Sequence, residues 1–362
     1  MNGSVSQAGT YKRTGKPRWV ARYRGPDRVE RQRAFRTKTE AQAWLNERKA
    51  EMTLGDWIAP ELGRRTFESL AEEWLELHTG KPSTIAGYRS VLRKHLYPRF
   101  GKQKVNTITG PQVSKLVAEI VASGARPNTA TNVLNVAKGV MRHGVAAGAL
   151  RTSPVAGLAA PKSHKREMEF ASAAEVAAIA DRVGEHSTLI FTAAYTGLRA
   201  GELYALRIGD LDFLRGRIHV RRAQTEVSGR IEVGTPKSGR ERTVSIPPFL
   251  RDMLTAHVAR VAVEPDALVF SNPDGSPLRQ SNFYPRVFRP AADDIGRTVL
   301  RFHDLRHTCA AFLIDAGAHP RAIMERLGHS SITVTMDTYG HLLPSLDDDL
   351  TTALESRFRS AS

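Results

Sequence analysis

Apolar residues recur every three or four positions over residues 66–147, a spacing that places them on one face of a helix. The pattern breaks into four stretches, and each begins at a helix-start signal. These signals are Thr66, Pro82, the capping box Thr109–Gln112, and Pro127. Pro98 and Gly101 are predicted to end the second helix. We therefore predict an all-α bundle over residues 64–150.

The first sixty residues show a different pattern, in which apolar and polar residues alternate as they do in a half-buried strand. Trp19–Arg24 and Val29–Arg36 alternate on either side of a Gly-Pro-Asp turn, and Tyr11–Thr14 is a weaker first strand. A capping box at Thr37–Glu40 then begins a helix. The pattern predicts a three-stranded antiparallel sheet packed on one helix over residues 1–58.

A basic stretch with several prolines, residues 151–168, follows the bundle and is predicted to be a linker. Residues 169–362 mix helices with short strands. Arg217–Arg222 and Arg242–Ile246 alternate, and a tight turn between them carries an exposed lysine, Lys237. The expected fold class is therefore multidomain and mainly α with small β-sheets. It comprises an N-terminal sheet-plus-helix module, an all-α bundle and a C-terminal α+β domain.

The chain of 362 residues is strongly basic, with 53 Lys and Arg against 37 Asp and Glu and a formal net charge of +16. Residues 1–38 alone hold eleven basic and two acidic residues, a net charge of +9. This balance favours a polyanionic partner, most often nucleic acid. The basic sheet could enter a DNA groove, although a solvated basic face is the simpler alternative. Candidate DNA-contacting residues are Arg22, Arg24, Arg31, Arg33, Arg89 and Lys94.

The composition also argues against several classes of protein. No run of about 18 apolar residues is present, so no membrane span is expected. Residues 1–10 lack the apolar core of a secretory signal. The single cysteine, Cys309, cannot form an intramolecular disulfide and fits a reducing cytoplasm. We therefore expect a cytoplasmic protein.

Side chains suited to phosphoryl transfer occur in the C-terminal half. They are Arg199, Lys237, His303, Arg306, His329 and Tyr339. Arginine forks can bind the two non-bridging oxygens of a phosphoryl transition state. A histidine can take the proton of an attacking tyrosine, and a lysine can protonate the leaving oxygen. Taken singly, each residue has a simpler explanation, such as an ion pair between Arg199 and Glu202.

Taken together, the motifs resemble those of the tyrosine recombinases, in particular phage-type integrases with an N-terminal arm-binding domain. Thr-Gly-Leu-Arg-Ala-Gly-Glu-Leu around Arg199 resembles the family's first arginine box, and His303–His307 resembles its His-x-x-Arg box. Leu-Gly-His-Ser around His329 is similar to the third box. Tyr339 matches the nucleophile, and Lys237 lies where the family keeps a hairpin lysine.

The resemblance implies a mechanism in which Tyr339 attacks the scissile phosphate and forms a 3′-phosphotyrosyl link. Arg199 and Arg306 would bind the phosphate oxygens, and His303 would accept the tyrosine proton. Lys237 would be the general acid, and His329 would make a further contact to the phosphate. Glu202 would orient Arg199, and His307 would support the His-x-x-Arg box. No nucleotide or metal cofactor is expected.

The resemblance also implies partners. Four protomers would act on double-stranded DNA at core and arm attachment sites, in the nucleoid of a bacterial host cell. Excision would need a directionality factor, and integration a host DNA-bending protein. The tail from Leu342 to Phe358 would dock on a neighbouring protomer, or alternatively pack as a helix on its own domain.

Three alternatives remain. His303 and His307 are four residues apart, with Asp304 between them, and could bind zinc, although Arg306 would place a fixed positive charge beside the metal. A non-catalytic DNA-binding regulator could have the same fold. A topoisomerase-like strand transferase could use the same chemistry.

Overall fold

The computed structural model describes residues 3–10, 17–161, 168–237, 239–261, 264–342 and 357–359. The chain divides into two compact units, Met1–His164 and Lys165–Ser362. The boundary between them falls inside the stretch 151–168 that the sequence predicts to be a linker. None of the helices in the described ranges is both long and apolar enough to cross a membrane.

The first unit begins with an antiparallel sheet of strands β1 (Gly3–Thr10), β2 (Pro17–Arg24) and β3 (Glu30–Phe35), in that order. The helix α1 (Lys38–Thr53) packs on it. The predicted three-stranded sheet with one helix is therefore confirmed. The first strand was expected at Tyr11–Thr14, which lies outside the described residues. The strand found at Gly3–Thr10 is mostly Ser, Gly and Gln, so it shows little of the alternation by which strands are recognised.

The junction between β3 and α1 follows from local sequence. Thr37 caps the helix: its side chain accepts from the Glu40 N–H at 3.2 Å, and the Glu40 carboxylate accepts from the Thr37 N–H at 3.3 Å. This is the capping box that the sequence predicts. The apolar face of the sheet then meets the helix in a small core, formed by Ala21, Tyr23, Ala41 and Leu45.

The rest of the first unit is helical. Its helices are α2 (Pro60–Gly63), α3 (Phe67–Glu76), α4 (Pro82–Val91), α5 (Tyr97–Phe100), α6 (Gly110–Ala122) and α7 (Pro127–Ala146). A π-helical turn, Leu92–Leu96, joins α4 to α5, so the four helices of the predicted bundle are present. The prediction that Pro98 ends the second helix is wrong. Pro98 lies in the first turn of α5, and the preceding turn widens because proline lacks a backbone N–H.

The second unit contains nine of the described helices and two small sheets. The helices are α8 (Ala173–Arg182), α9 (Ser187–Thr196), α10 (Ala200–Tyr204), α11 (Pro248–Val261), α12 (Gln280–Phe283), α13 (Arg289–Asp294), α14 (Asp304–Asp315), α15 (Pro320–Leu327) and α16 (Ile332–Tyr339). The strands are β4 (Leu211–Asp212), β5 (Arg217–Val220), β6 (Ala223–Val227), β7 (Arg230–Gly234) and β8 (Arg242–Ser245). The mainly α, multidomain fold class is confirmed.

Strands β5 and β8 pair antiparallel as the sequence predicts, with β4 on the other edge of β5. Between β5 and β8 the chain forms a second hairpin, β6–β7, that the sequence pattern did not predict. Ser228 and Gly229 form its turn, and both have positive φ. As the sequence predicts, Lys237 lies in a tight turn, which the Gly239 N–H closes by donating to the Pro236 carbonyl at 2.9 Å. It lies in the exposed connection from β7 to β8.

Packing around α9 fixes the elements that carry the candidate site. This helix is apolar and buried along most of its length, and α8, α11 and α14 pack against it. A separate small core holds α14, α15 and α16 together. Its buried members are Ala310, Ile314, Ile323, Leu327 and Tyr339. The candidate nucleophile is thus part of the core that positions its own helix.

Candidate active site

Arg199 lies between α9 and α10. Gly197 ends α9 in the left-handed conformation, with φ 69°, and Arg199 then caps α10. Glu202, three residues on, accepts from the Arg199 backbone N–H at 2.8 Å and from Nη1 at 3.1 Å. Nη2 donates to the Gly328 carbonyl at 3.2 Å. The ion pair expected between Arg199 and Glu202 is present, and it aims the guanidinium toward the end of α15.

Glu202 is buried and is shared with a second arginine, Arg242 on β8. Arg242 Nη1 and Nη2 donate to the two Glu202 oxygens at 2.9 and 2.7 Å, and Nε donates to the Arg326 carbonyl at 3.0 Å. Burial alone would raise the pKa of Glu202, but the bonds from Arg242 and the nearby Arg199 hold that pKa below its usual value. The carboxylate therefore stays charged and keeps both arginines in place. No sequence pattern singled out Arg242 as a site residue.

Arg306, near the start of α14, is 3% exposed. Its Nη1 donates to the Gly197 carbonyl at 2.5 Å and its Nη2 to the Leu327 carbonyl at 2.6 Å. Burial, with a contribution from Arg199, lowers the pKa of Arg306 to about 9, so the guanidinium remains charged at neutral pH. Both acceptors are uncharged, which leaves the positive charge available to an anion.

Tyr339 ends α16 and is 1% exposed. Its hydroxyl lies 2.7 Å from Nδ1 of His307, and the His329 ring stacks on its ring with centroids 6.2 Å apart. Burial raises the pKa of Tyr339 to about 12, although Arg306 and Arg199 act in the opposite direction. The phenol is therefore neutral at rest, and its proton faces an imidazole.

The three histidines of the cluster favour the neutral form. Desolvation, together with the positive charge of Arg306, lowers the pKa of His303 to about 4, although part of the His303 surface is exposed. Burial likewise lowers the pKa of His307. Burial and the nearby Arg306 lower the pKa of His329 to about 4, and its Nδ1 lies 2.8 Å from the Thr335 hydroxyl. At pH 7 each ring can accept a hydrogen bond or a proton.

The imidazole in contact with Tyr339 differs from the one that the sequence analysis expected. The role of proton acceptor was given to His303, and His307 was given a supporting role. In the described structure His307 makes the hydrogen bond to the Tyr339 hydroxyl, and no hydrogen bond joins His303 to it. The His303 ring instead meets the His307 ring at a right angle, with centroids 5.2 Å apart.

In the alternative of a zinc site, Asp304 lies between the two histidines in the sequence. The Asp304 carboxylate is buried and accepts from Arg301, at 2.6 Å from Nη2 and at 2.7 Å from the backbone N–H. Across the ranges that the structure describes, no group of three or more His, Cys, Asp and Glu residues is placed to hold a metal. Asp304 thus fixes the start of α14 rather than joining His303 and His307.

Lys237 is the one predicted catalytic residue that the structure does not bring into the cluster. It is exposed on the connection between β7 and β8, next to residue 238, which is outside the described ranges. The residues described around it show no contact between its ammonium group and Arg199, Arg306 or Tyr339. Its role as general acid stays a prediction.

The candidate DNA-contacting arginines of the first unit do not share one face. Strand register pairs Arg22 with Gln32 and Arg24 with Glu30, whereas Arg31 and Arg33 lie opposite Tyr23 and Ala21 on the other face. Neighbouring strands place paired residues on the same side of the sheet, so Arg22 and Arg24 share one face and Arg31 and Arg33 share the other. The exposed candidates that remain are Arg22, Arg24 and Arg33 on the sheet, with Arg89 and Lys94 on the bundle.

Arg31 is used inside the first unit. Its guanidinium pairs with Asp27 at 2.6 Å and with Glu61 at 2.7 Å, and it lies over the Trp57 ring at 5.0 Å from the centroid. Its side chain is only 12% exposed. In this arrangement Arg31 connects the sheet to the segment that precedes the bundle, and it is poorly placed to bind a phosphate.

Two arginine forks, a buried phenol and neutral imidazoles lie together in the α+β unit, and a tyrosine-based DNA strand transferase is the class to compare with. Three family models match the chain in succession. The N-terminal domain of phage integrase matches residues 7–54, the phage integrase central domain residues 67–161, and the phage integrase family model residues 168–345.

Curated relatives agree with these matches along nearly the whole chain. A prophage phiRv2 integrase of Mycobacterium tuberculosis is 31% identical over 354 residues, which cover 93% of this chain and 92% of the relative. The integrase of Mycobacterium phage L5 is 28% identical over 91% of this chain and 92% of its own length. The chain belongs to the phage integrase family of tyrosine recombinases.

Solved structures show the same fold at lower sequence identity. The Tn1549 transposon integrase, in complex with a circular intermediate DNA, has a TM-score of 0.68 at 19% identity, over 81% of this chain and 99% of that one. A lambda integrase tetramer bound to a Holliday junction has a TM-score of 0.61 at 18% identity, over 87% and 94% of the two chains.

Proposed function

We propose that the protein is a site-specific integrase that cuts and rejoins double-stranded DNA to insert the genome of a phage or another mobile element. One observation carries the proposal. Arg199 and Arg306 both bond to the backbone at the end of α15, through Gly328 and Leu327, and the Tyr339 hydroxyl lies close enough for both guanidinium charges to act on its pKa. A pair of fixed guanidinium groups beside a buried phenol suits transfer of a phosphoryl group to tyrosine.

The two arginines would bind the scissile phosphate. In the transition state, negative charge develops on two non-bridging oxygens, and a planar guanidinium can donate two hydrogen bonds to such a group. Arg306 is fixed by two backbone carbonyls, and Arg199 by Glu202 and Gly328. Because the donors are already oriented, little reorganisation is needed when the charge develops.

The bond changes balance without an external reactant. The Tyr339 oxygen forms a bond to phosphorus while the bond from phosphorus to the 5′ oxygen breaks. An imidazole of the cluster, His303 or His307, takes the phenolic proton, and Lys237 would give a proton to the 5′ oxygen. One phosphodiester replaces another, so a 3′-phosphotyrosyl link conserves the bond energy and no nucleotide or metal is consumed. His329 would add a further phosphate contact.

The assembly that we propose is a homotetramer on DNA. Four protomers would bind core sites through the bundle and the C-terminal unit, while the module of residues 1–58 binds arm sites. The lambda integrase tetramer on a Holliday junction supports this arrangement through its similar fold. The proposal also includes two accessory proteins, a directionality factor for excision and a host DNA-bending protein for integration. The reaction would take place at the bacterial nucleoid.

The nucleophile assignment can be tested with a nicked suicide substrate that carries the element's attachment core. The wild-type protein should accumulate a covalent protein–DNA adduct, because the released short strand diffuses away and rejoining stops. Tyr339→Phe should form no adduct, since it lacks the attacking oxygen. The measurement is denaturing gel electrophoresis of end-labelled DNA.

Tyr97→Phe serves as a control, because Tyr97 is a half-buried tyrosine of the bundle whose hydroxyl bonds to Glu72 at 2.6 Å. This variant should still form the adduct. Equal adduct from Tyr339→Phe and the wild type would remove Tyr339 as the nucleophile. Absence of adduct from the wild type would favour the non-catalytic regulator, and relaxation of a supercoiled plasmid without strand exchange would favour the topoisomerase-like alternative.

A further inference from the structure

His307 is the side chain that contacts the reacting atom of the proposed nucleophile. Its Nδ1 lies 2.7 Å from the Tyr339 oxygen, the usual length of a well-formed hydrogen bond from a hydroxyl. The two rings lie close, with centroids 5.7 Å apart. His307 is half-buried at the second turn of α14, and Tyr339 is buried at the end of α16. The contact therefore joins two elements held by one small core.

The direction of this hydrogen bond follows from the protonation states. A phenol whose pKa is raised to about 12 keeps its proton at neutral pH. A phenol donates through its O–H, and a neutral imidazole accepts at its unprotonated nitrogen. Nδ1 of His307 is then the acceptor and Nε2 carries the ring proton. This is the tautomer that can take the phenolic proton without any movement of the ring.

The surroundings of His307 keep that ring neutral. Burial lowers its pKa, and the positive charges of Arg306 and Arg301 act in the same direction, whereas the Asp304 carboxylate opposes them. His303 faces it from the preceding turn and is itself neutral at pH 7. On the α16 side the facing group is Tyr339. A neutral acceptor is therefore present at neutral pH.

We propose that His307, rather than His303, holds the Tyr339 phenol and accepts its proton as the tyrosine attacks DNA. This inference rests on the proposed recombinase function. As the bond from the tyrosine oxygen to phosphorus forms and the bond to the 5′ oxygen breaks, the phenolic proton passes to Nδ1, and His307 becomes an imidazolium. The 5′ oxygen takes its proton from the general acid, assigned to Lys237. His303 supports the His307 ring by edge-on packing.

A matched pair of variants tests the assignment. In His307→Asn the amide oxygen can occupy the place of Nδ1 and accept the hydrogen bond, but it cannot accept a proton at neutral pH. Single-turnover formation of the adduct on the suicide substrate should slow by about 100-fold or more. His303→Asn makes the same change one turn earlier and should slow the reaction less. The opposite ranking of the two variants would overturn the proposal.

Two further readouts separate proton acceptance from a structural role. The wild-type rate should fall with acid as His307 becomes protonated, below pH 6.5, and His307→Asn should lose this limb of the profile. A substrate with sulfur in place of the bridging 5′ oxygen needs no proton on its leaving group. This substrate should restore cleavage by Lys237→Ala, whereas cleavage by His307→Asn should stay slow. If the sulfur substrate restored cleavage by His307→Asn, then His307 would be the general acid, and the proposal would be refuted.

The inference and the proposed function can fail separately. Absence of an adduct from the wild-type protein contradicts the proposed function, whereas an adduct from the wild type with a larger defect in His303→Asn than in His307→Asn contradicts only the inference. If His307→Asn does not fold, the wild-type protein still gives an answer through ¹⁵N-labelled histidine. We expect His307 to show the Nε2–H tautomer near neutral pH and to change its Nδ1 signal in Tyr339→Phe. The Nδ1–H tautomer would exclude Nδ1 as the acceptor.

Discussion

Arg242 and Glu202 form a buried ion pair that acts on the site through Arg199. Glu202 has no exposed side-chain surface and Arg242 has 9%, so neither charge is well hydrated. Removing one member of a buried pair leaves the other charge without compensation, which typically costs several kcal/mol. Since Glu202 also holds the Arg199 side chain, the cost should appear both in stability and in phosphate binding.

We predict that Arg242→Met lowers the free energy of unfolding by about 3 kcal/mol and also slows adduct formation. Chemical denaturation and single-turnover cleavage measure the two effects. Arg321→Met is the control. It breaks an exposed ion pair to Glu325, 3.1 Å long, and should change stability by less than about 1 kcal/mol with no change in cleavage. Equal effects of the two substitutions would show that Arg242 has no special role.

Individual residues of the site differ in how far the sequence reveals them. Arg199, Arg306 and Tyr339 occur in separated motifs whose order and spacing point to one chemistry, and the structure brings them together. Arg242 carries no such signal, because an arginine in a strand pattern usually faces solvent. The contact of His307 with Tyr339 depends on how α16 packs against α14. The helical spacing of residues within α14 cannot predict this packing.

The end of α9 shows how one element fixes two groups of the candidate site, Arg199 and Arg306. Gly197 adopts φ 69°, its carbonyl accepts from Arg306, and a Cβ placed on it would lie 2.5 Å from a Leu327 methyl. Leu327 supplies the second carbonyl that holds Arg306. A side chain at residue 197 would therefore strain the backbone and push against both supports of Arg306.

We predict that Gly197→Ala destabilises the protein by about 2–4 kcal/mol, from left-handed strain together with overpacking. Adduct formation should fall even at a temperature where the variant is folded. Gly184→Ala is the matched control, because Gly184 has φ 59° and open space around its Cβ position. It should cost only about 1–2 kcal/mol and leave cleavage intact. Similar losses of cleavage in both variants would exclude the contact with Leu327 as the cause.

Helices are the elements that the sequence predicts best, because capping signals and apolar periodicity agree. The capping box at Thr37 forms as expected. Errors occur where a local rule meets tertiary packing. Pro98 does not end its helix because a π turn absorbs the missing hydrogen bond. The β6–β7 hairpin was not predicted because its strands are short and largely exposed.

At the scale of the whole molecule, the N-terminal module is joined to the rest of the first unit by a few polar contacts. Arg31 pairs with Glu61, and Arg151 pairs with Asp56 at 2.6 Å. The small core of the module is made of its own sheet and helix, with the neighbouring Trp57 packed against it. We therefore expect the module to be separable from the catalytic reaction.

Deletion of residues 1–58 should abolish binding to distal arm sites and leave cleavage at the core site measurable, within about 10-fold of the wild type. Mobility shift on separate arm and core duplexes, with the suicide assay, measures both. In the full-length chain, the double substitution Arg22→Ala and Arg24→Ala should weaken arm binding. It should also reduce the slope of the logarithm of the binding constant against the logarithm of salt concentration by about 2, one for each lost phosphate contact. Undiminished arm binding after the deletion would refute the module's role.

Arg306 is held by main-chain oxygens, one from Gly197 and one from Leu327. Every residue type has a backbone carbonyl, so these two contacts do not depend on which side chains surround the site. Substitutions nearby can accumulate provided that the path of the chain is kept. This gives a physical reason why the fold tolerates extensive sequence divergence, and it suggests that other surfaces of the protein can be redesigned without rebuilding the candidate site.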